Sequence, residues 1–237
     1  MGANSLTLEQ LSRLCHDGEW RRGLHEAAPS GFAELDASLP GGGWPVGAIC
    51  ELLLETMGIG ELGLLVPALA RLAQAGRYIA WIAPPHLPYA PALAQAGIAL
   101  KRVLVVQTRS MQESLWATEQ TLRCPAFGAV LSWPTGIADK NIRRLQLAAE
   151  AGGTLGILYR PAEAAREHSP AALRLRLAPT RAGLTVDIHK CRGGRAGARL
   201  QLRTHAVALG GKSHCVASNP MDLVAGIGHS ATGGAYP

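Results

Sequence analysis

The 237-residue sequence predicts an α/β fold, in which a mostly parallel sheet is flanked by helices and an antiparallel C-terminal hairpin lies at the sheet edge. Two observations predict this fold. Between residues 48 and 160, runs that are apolar on both faces alternate with segments of helical periodicity, as in parallel strands joined by crossover helices. After Pro161, apolar and polar residues alternate with a period of two, which is typical of a hairpin with one buried face.

Five short apolar runs are the predicted parallel strands. Each is bounded by residues that favour turns, and none shows the strict alternation of a half-exposed strand. The runs are "AICELLL" (48–54), "RYIAWIA" (77–83), "RVLVV" (102–106), "FGAVLSW" (127–133) and "TLGILYR" (154–160).

Helical periodicity predicts the crossover helices between these strands. They lie at 62–76, 88–97, 110–124 and 138–153. Pro67 either kinks the first of them or delays its start. In the third, Ser110 followed by Glu113 is the pattern of a capping box. A further short helix is predicted at the N-terminus, over 5–17, where leucines recur near helical spacing.

The C-terminal hairpin is predicted from "ALRLRLAPTRAGLTVDIHKCRGGRAGARLQLR", which is interrupted at two glycine-containing turns. Its first strand has Leu173, Leu175 and Leu177 on one face, with Arg174 and Arg176 on the other. The sequence therefore divides into an N-terminal helix and linker (1–28), an α/β core that includes the basic hairpin (29–205), and a tail (206–237). The tail is rich in Gly, Ala and Ser, and we expect it to be mostly disordered.

Composition excludes several classes of protein. Hydrophobic residues make up 48% and charged residues 17%, as in globular chains. We expect a bacterial cytoplasmic location without membrane contact, because no apolar run approaches the length of a membrane span and the N-terminus lacks a signal-peptide pattern. The five cysteines are widely spaced without a CxxC pair, so the sequence predicts reduced structural thiols and no metal site.

Positive charge is concentrated in one late segment. Residues 1–158 carry 12 Lys/Arg against 13 Asp/Glu, whereas residues 159–205 carry 10 against 3. Within the second group, basic residues surround a glycine-rich turn, where they could contact DNA phosphates or an acidic partner. A solvated hairpin face is the alternative interpretation. The candidate contact residues are Lys190, Arg192, Arg195, Arg199 and Arg203.

The segment "LLLETMGIGELGLLVPALARLAQAG" (52–76) has the layout of a phosphate-binding loop: a buried strand, a glycine-containing turn, then a helix. Such a loop reads GxxxxGK[ST], with a lysine for the phosphates and a hydroxyl for magnesium. Aligned on Gly60, the motif's first glycine is Glu55, its lysine is Glu61 and its hydroxyl residue is Leu62. A carboxylate at the lysine position opposes polyphosphate binding, and it suits the positive end of a helix dipole.

Three segments of the sequence, which include this loop, resemble a known protein family. "GFAELDASLPGGGWPVGAICEL", the loop through "GIGEL", and "YIAWIAPPHLPYAPALAQAGIALKRVLVVQ" together resemble the ATPase core of RecA, and most closely ImuA, the RecA-like protein of bacterial translesion-synthesis operons. "LLVPALARLAQAGRYIAWIAP" and "GILYRP" also resemble SulA, the cell-division inhibitor. The resemblance covers residues 31 to about 205 and implies a RecA-like fold.

The resemblance also implies which catalytic positions to compare. The aspartate that ends a buried strand in RecA-like ATPases falls at Ser132, and the glutamate that activates water falls at Pro85. Glu61, Leu62, Pro85 and Ser132 thus stand at the four positions where an ATPase has its lysine, hydroxyl, glutamate and aspartate. The degenerate loop itself comprises Glu55, Gly58, Gly60, Glu61 and Leu62. We therefore expect no ATPase activity, no catalytic residues, no cofactor and no small-molecule substrate.

The ImuA resemblance implies a non-catalytic accessory protein of the SOS response to DNA damage. Such a protein supports mutagenic translesion synthesis through contacts with an ImuB-like protein, a DnaE-type error-prone polymerase and RecA itself. Two alternatives remain open: a basic module that binds DNA without sequence specificity, and a SulA-like inhibitor that caps the tubulin-like division protein. The glycine-rich segment before the loop and the C-terminal hairpin favour ImuA over SulA.

Overall fold

The computed structural model describes residues 4–5 and 27–204 of the chain. The strands of this part are β1 (Asn4–Ser5), β2 (Ala27–Ala28), β3 (Trp44–Pro45), β4 (Ile49–Leu54), β5 (Tyr78–Ile82), β6 (Val103–Val106), β7 (Phe127–Ser132), β8 (Leu155–Pro161), β9 (Leu173–Thr180), β10 (Gly183–Cys191) and β11 (Arg199–Leu202).

The α-helices of the described part are α1 (Ala33–Ser38), α2 (Val66–Gln74), α3 (Ala90–Gln95), α4 (Met111–Arg123) and α5 (Asp139–Gly152). Short 3₁₀ helices lie at Pro40–Gly42, Glu61–Leu64, Leu100–Arg102 and Ala162–Arg166.

Nine of these strands form one sheet in the order β1-β6-β5-β7-β8-β4-β9-β10-β11, and β2 pairs with β3 separately. All neighbours from β1 to β9 are parallel, whereas β10 is antiparallel to both β9 and β11. The expected α/β class with a mostly parallel sheet is confirmed. Strands β4 to β8 match the five predicted apolar runs to within two residues at each end.

Two local predictions can be followed to single residues. Pro67 lies in the first turn of α2, where a missing backbone N–H breaks no intrahelical bond, and the helix begins at Val66 after a separate 3₁₀ turn. Ser110 caps α4 by accepting a hydrogen bond from the Glu113 N–H. The Glu113 carboxylate accepts from the Arg109 N–H, one residue before the predicted position.

The hairpin prediction gives the correct pairing of its two strands, but it does not include their other neighbours in the sheet. β9 and β10 are antiparallel, and the leucines of β9 are buried as expected. β9 is also parallel to β4, and the third strand β11 forms the edge of the sheet. Arg174, on the polar side of the alternation, is buried instead of facing solvent, because it has a partner on β4.

The predicted N-terminal helix over 5–17 is wrong at its first residue, since Ser5 belongs to β1 and pairs with Val105 of β6. The rest of that helix, with Leu6, Leu11 and Leu14, lies outside the described residues, and so does the tail from 206 onward. The domain limits at 28/29 and 205/206 therefore stay a prediction.

The sheet separates two hydrophobic clusters. Leu69 of α2 and Leu93 of α3 pack on one face, while Leu115 of α4 and Ile142 of α5 pack on the other. Covering both faces is what makes every residue of β4 and β7 buried. Among the described residues, no helix is both long enough and apolar enough to span a membrane.

One charged side chain, Glu51, lies fully buried in the middle of β4. Its Oε1 accepts hydrogen bonds from Nη1 of Arg160 on β8, at 2.8 Å, and from the hydroxyl of Ser169, at 3.0 Å. Its Oε2 accepts from Nε of Arg174 on β9. Arg174 also donates to the carbonyls of Ala164 and Glu167, so three neighbouring strands and the segment after β8 meet at one carboxylate.

The positive and negative charges in this network are equal in number. Arg160 donates a second bond to the carboxylate of Glu167, at 2.6 Å, so two arginines face two carboxylates. A buried charge costs several kcal/mol of free energy unless it is paired and hydrogen-bonded, as it is here. The network therefore couples the folding of β4 to that of β8 and β9.

Replacing Glu51 by Ala should lower the free energy of unfolding by about 3 to 5 kcal/mol, because Arg174 would remain buried without a counter-charge and Arg160 would keep only the more exposed Glu167 as its partner. Urea denaturation followed by circular dichroism measures this change. Glu55→Ala is the matched control: its ion pair with Arg176 is 2.8 Å long but exposed to solvent, so its loss should cost less than about 1 kcal/mol. Equal losses in the two variants would contradict the assignment of Glu51 as the central residue.

Candidate functional site

The degenerate phosphate-binding loop lies at the carboxyl ends of the parallel strands. In open α/β sheets, ligands bind outside this edge, where the loops after the strands converge. Here the loop after β4 spans 55–60, and the 3₁₀ helix that begins with Glu61 leads from it to α2.

The loop turns through two glycines in the left-handed region, Gly58 with φ +83° and Gly60 with φ +97°. Directly after the second of them, the side chain of Glu61 folds back into the loop and is buried. Its Oε1 accepts a hydrogen bond from the backbone N–H of Gly58, at 3.0 Å. A loop N–H that could have faced an anionic ligand is therefore bonded to the carboxylate of this chain.

The remaining positions of the degenerate site do not converge on one point. The carboxylate of Glu55 pairs with Arg176 of β9, and Leu62 packs against the hydrophobic core. Pro85 is exposed in the loop after β5. Ser132 is buried, with its hydroxyl oxygen 3.1 Å from that of Thr118 on α4. The arrangement leaves no cluster of polar side chains that could hold a magnesium ion beside a phosphate.

Three aromatic rings stack beneath this edge of the sheet, a feature that the sequence reasoning missed. Trp133, which follows β7, lies between Trp81 of β5 and Tyr159 of β8, the two strands that flank β7. Its ring centroid is 5.8 Å from that of Trp81 and 4.6 Å from that of Tyr159, and the ring planes of the second pair are almost parallel, at 3°. The position of an aromatic residue at the end of each of these strands could have signalled the stack.

The Tyr159 hydroxyl is buried close enough to Glu61 to be affected by its negative charge. Burial raises the pKa of the Tyr159 hydroxyl well above its usual range, and the nearby negative charge of Glu61 raises it further. Within the described residues, neither the Tyr159 hydroxyl nor Oε2 of Glu61 has a hydrogen-bond partner. Both side chains are buried, so solvent does not reach the region between Tyr159 and Glu61.

The five basic residues predicted to contact DNA or a partner lie at two ends of the sheet. Lys190, Arg192 and Arg195 are near the turn after β10, at the amino edge. Lys190 donates to the carbonyl of Ser169 and Arg192 to that of Pro170. Burial lowers the pKa of Lys190, and the nearby charges of Arg192 and Arg174 lower it further.

The other two basic residues lie on β11 and just after it. Arg199 makes two hydrogen bonds to Asp187, which lower the pKa of that carboxyl. Arg203 is exposed at the opposite, carboxyl edge, where β11 ends beside the start of β10. The five residues thus form no single patch, and a role in DNA binding stays a prediction.

The three described cysteines, Cys50, Cys124 and Cys191, form no disulfide with one another. Burial raises the pKa of the Cys50 thiol, which keeps it protonated and unreactive. Residues 4–5 and 27–204 contain no group of three His, Cys, Asp or Glu side chains that could hold a metal ion.

Comparison with known proteins gives a relationship for the central part of the chain. The family model described as "Cell division inhibitor SulA" matches residues 47–156. The cell division inhibitor SulA of Edwardsiella piscicida is 32% identical over 100 residues, which are 42% of this chain and 60% of that protein. The SulA of Photorhabdus laumondii is 28% identical over 111 residues, which are 47% of this chain and 63% of that protein.

Among solved structures, SulA from Pseudomonas aeruginosa is 27% identical and covers 47% of this chain and 97% of that one, with a TM-score of 0.40. The chain spans about three fifths of the length of the first curated relatives it matches. The family model and the curated relatives confirm the SulA part of the predicted resemblance. The resemblance to ImuA and the RecA-like character of the fold stay predictions.

The degenerate loop predicts that the protein does not bind Mg-ATP, whereas a Glu61→Lys, Leu62→Thr variant binds it at least about tenfold more tightly. A charge reversal at ~4 Å from a phosphate is worth several kcal/mol at an effective dielectric near 20. Isothermal titration calorimetry measures the affinities, and Glu61→Gln, which removes the charge alone, should lie between the two. Saturable Mg-ATP binding by the unaltered protein would contradict this prediction.

Tyr159 predicts a loss of stability at alkaline pH. Its raised pKa means that the fold favours the neutral phenol, so this contribution is complete below the unfolded-state pKa of about 10 and falls as the pH rises above it. In Tyr159→Phe the free energy of unfolding should therefore decline less above about pH 10 than in the unaltered protein.

At neutral pH the same Tyr159→Phe variant should be as stable as the original or more so by up to about 1 kcal/mol, because its buried hydroxyl has no partner within the described residues. Urea denaturation at a series of pH values tests both statements. Tyr89→Phe, at an exposed tyrosine, is the control and should change neither value. Identical alkaline profiles for Tyr159→Phe and the original protein would refute the assignment.

Proposed function

We propose that this protein acts without catalysis, by binding a protein partner in the bacterial cytoplasm during the response to DNA damage. The partner that the similarity supports best is the tubulin-like division protein, so that the protein inhibits cell division as SulA does. The observation that carries this proposal is the match of the SulA family model to residues 47–156, which include β4 to β7, their crossover helices and the degenerate loop.

The geometry of the degenerate loop supports a non-catalytic function. Glu61 lies where a phosphate-binding loop has a lysine, and its carboxylate is bonded to the loop's own Gly58 N–H. An incoming polyphosphate would meet a negative charge at the centre of the site and would have to break that bond. The exposed loops at the same edge remain available for contacts with another macromolecule.

Overproduction of the chain in a rod-shaped bacterium should produce filamentous cells, which phase-contrast microscopy measures as an increase in cell length. In vitro, the purified protein should reduce the amount of polymer that the purified tubulin-like division protein forms in a sedimentation assay. An unrelated α/β protein at the same concentration is the control. Cells of normal length together with unchanged polymer would overturn a role in division.

A second candidate function, as an accessory protein of translesion synthesis of the ImuA type, is favoured by the part of the chain beyond the matched segment. Strands β9 to β11 extend the sheet past β4, and β9 is tied to β4 by Arg174 and Glu51. This added structure, together with the glycine-rich segment before β4, offers surfaces for an ImuB-like protein, a DnaE-type polymerase or RecA.

For this second function, deletion of the gene should lower the frequency of mutations induced by ultraviolet light by about tenfold, without making undamaged cells longer or shorter. Rifampicin-resistance frequencies measure the effect, and a plasmid copy of the gene should restore it. If the deletion leaves induced mutagenesis unchanged, the translesion role is excluded. The two functions therefore separate on two readouts: cell length after overproduction and mutation frequency after deletion.

A further inference from the structure

Five large apolar side chains of the described residues are exposed to solvent, and the two most exposed lie in the loop between β5 and α3. Leu87 is 71% and Tyr89 62% exposed, whereas the other three, Met57, Trp116 and Leu147, range from 41% to 59%. Exposing such groups opposes solubility and is unusual at neighbouring positions on a small loop unless they meet a partner.

The same loop is stiff and locally strained. It reads "APPHLPY" over 83–89, so three of its seven residues are prolines with a restricted φ. Ala83, at its start, has φ +48° and is the one residue other than glycine with a positive φ in the described part of the chain. A strained conformation that costs free energy and displays apolar groups indicates a binding role, because a rigid loop loses little entropy when it binds.

Position and charge indicate the chemistry of the partner. The Ala83 N–H donates to the carbonyl of Val106, so the loop leaves the sheet beside the loop after β6, which carries the exposed Arg109. Residues 83–99 contain no Asp or Glu, and their sole ionisable groups are His86 and the tyrosine hydroxyl. The surface is therefore apolar with one cation, Arg109, in the neighbouring loop, and it is too poor in cations to hold a nucleic-acid backbone by charge.

We propose that residues 83–89, here named the proline loop, are the contact through which the protein binds its protein partner, inserting Leu87 and Tyr89 into an apolar recess that has a carboxylate beside it for Arg109. This inference rests on the proposed function, since it names the surface by which that function is exerted. Aromatic and other large side chains displayed in this way commonly carry most of the binding energy of an interface.

The test uses the purified full-length protein and, as probes, the purified tubulin-like division protein and the purified ImuB-like protein of the same bacterium, each in a surface plasmon resonance assay. The double variant Leu87→Ser, Tyr89→Ser should bind the recognised probe at least about tenfold more weakly. Trp116→Ser, Leu147→Ser is the matched control, because it removes two exposed apolar side chains from α4 and α5; it should change Kd less than twofold.

A second variant tests how much the rigidity of the proline loop contributes to binding. Pro85→Ala, Pro88→Ala keeps both contact side chains but frees the backbone, so it should weaken binding by about two- to tenfold, between the original protein and the double serine variant. Urea denaturation of every variant verifies that these exposed substitutions leave the fold intact.

The outcomes separate the proline loop from the proposed function. If the original protein binds a probe and the double serine variant binds it equally well, the proline loop is not the contact, while the proposed function stands. If the original protein binds neither probe, both are overturned. If binding to single-stranded DNA is the sole interaction that the double serine variant loses, the surface serves nucleic acid and the inference of a protein contact is wrong.

Discussion

The interaction on which the rest of the structure depends is the set of hydrogen bonds between Glu51 and the guanidinium groups of Arg160 and Arg174. A carboxylate in the middle of a sheet whose two faces are both covered can exist only if its charge is matched at close range. Here the matching charges come from the two strands that flank β4. Because Glu51 is the carboxylate that both arginines share, the network forms only when β4 lies between β8 and β9.

This network also joins the part of the chain that is similar to SulA to the part that lies beyond it. Glu51 belongs to the matched segment, whereas Arg160, Ser169 and Arg174 all follow its last residue. Near the same end of the sheet, Glu55 of the degenerate loop pairs with Arg176 of β9. Strands β9 to β11 are therefore an integral part of the sheet, held by buried charge as well as by the strand ladder.

The edge of the sheet that carries the degenerate loop is closed and mostly apolar. Glu61 is turned inward onto its own loop, and three stacked rings fill the region beneath it. What this edge offers to other molecules is on its outside, in the exposed apolar side chains of the proline loop. A scaffold of this kind can recognise a macromolecule by shape, and the relationship to a division inhibitor and the resemblance to an accessory protein of translesion synthesis both agree with that use.

Sequence by itself determined the order and type of the elements from β4 to β10, because apolar runs, helical periodicity and turn residues are local signals. It also determined that the loop after β4 lacks its lysine and hydroxyl. Only the tertiary structure decided the partners of the buried charges: Glu51 lies 109 and 123 residues from its two arginines, and no local pattern tells which strands become neighbours. For the same reason, the alternation that placed Arg174 on a polar face could not show that this face is buried. The stack around Trp133 and the exposure of Leu87 likewise depend on how the loops fold over the edge of the sheet.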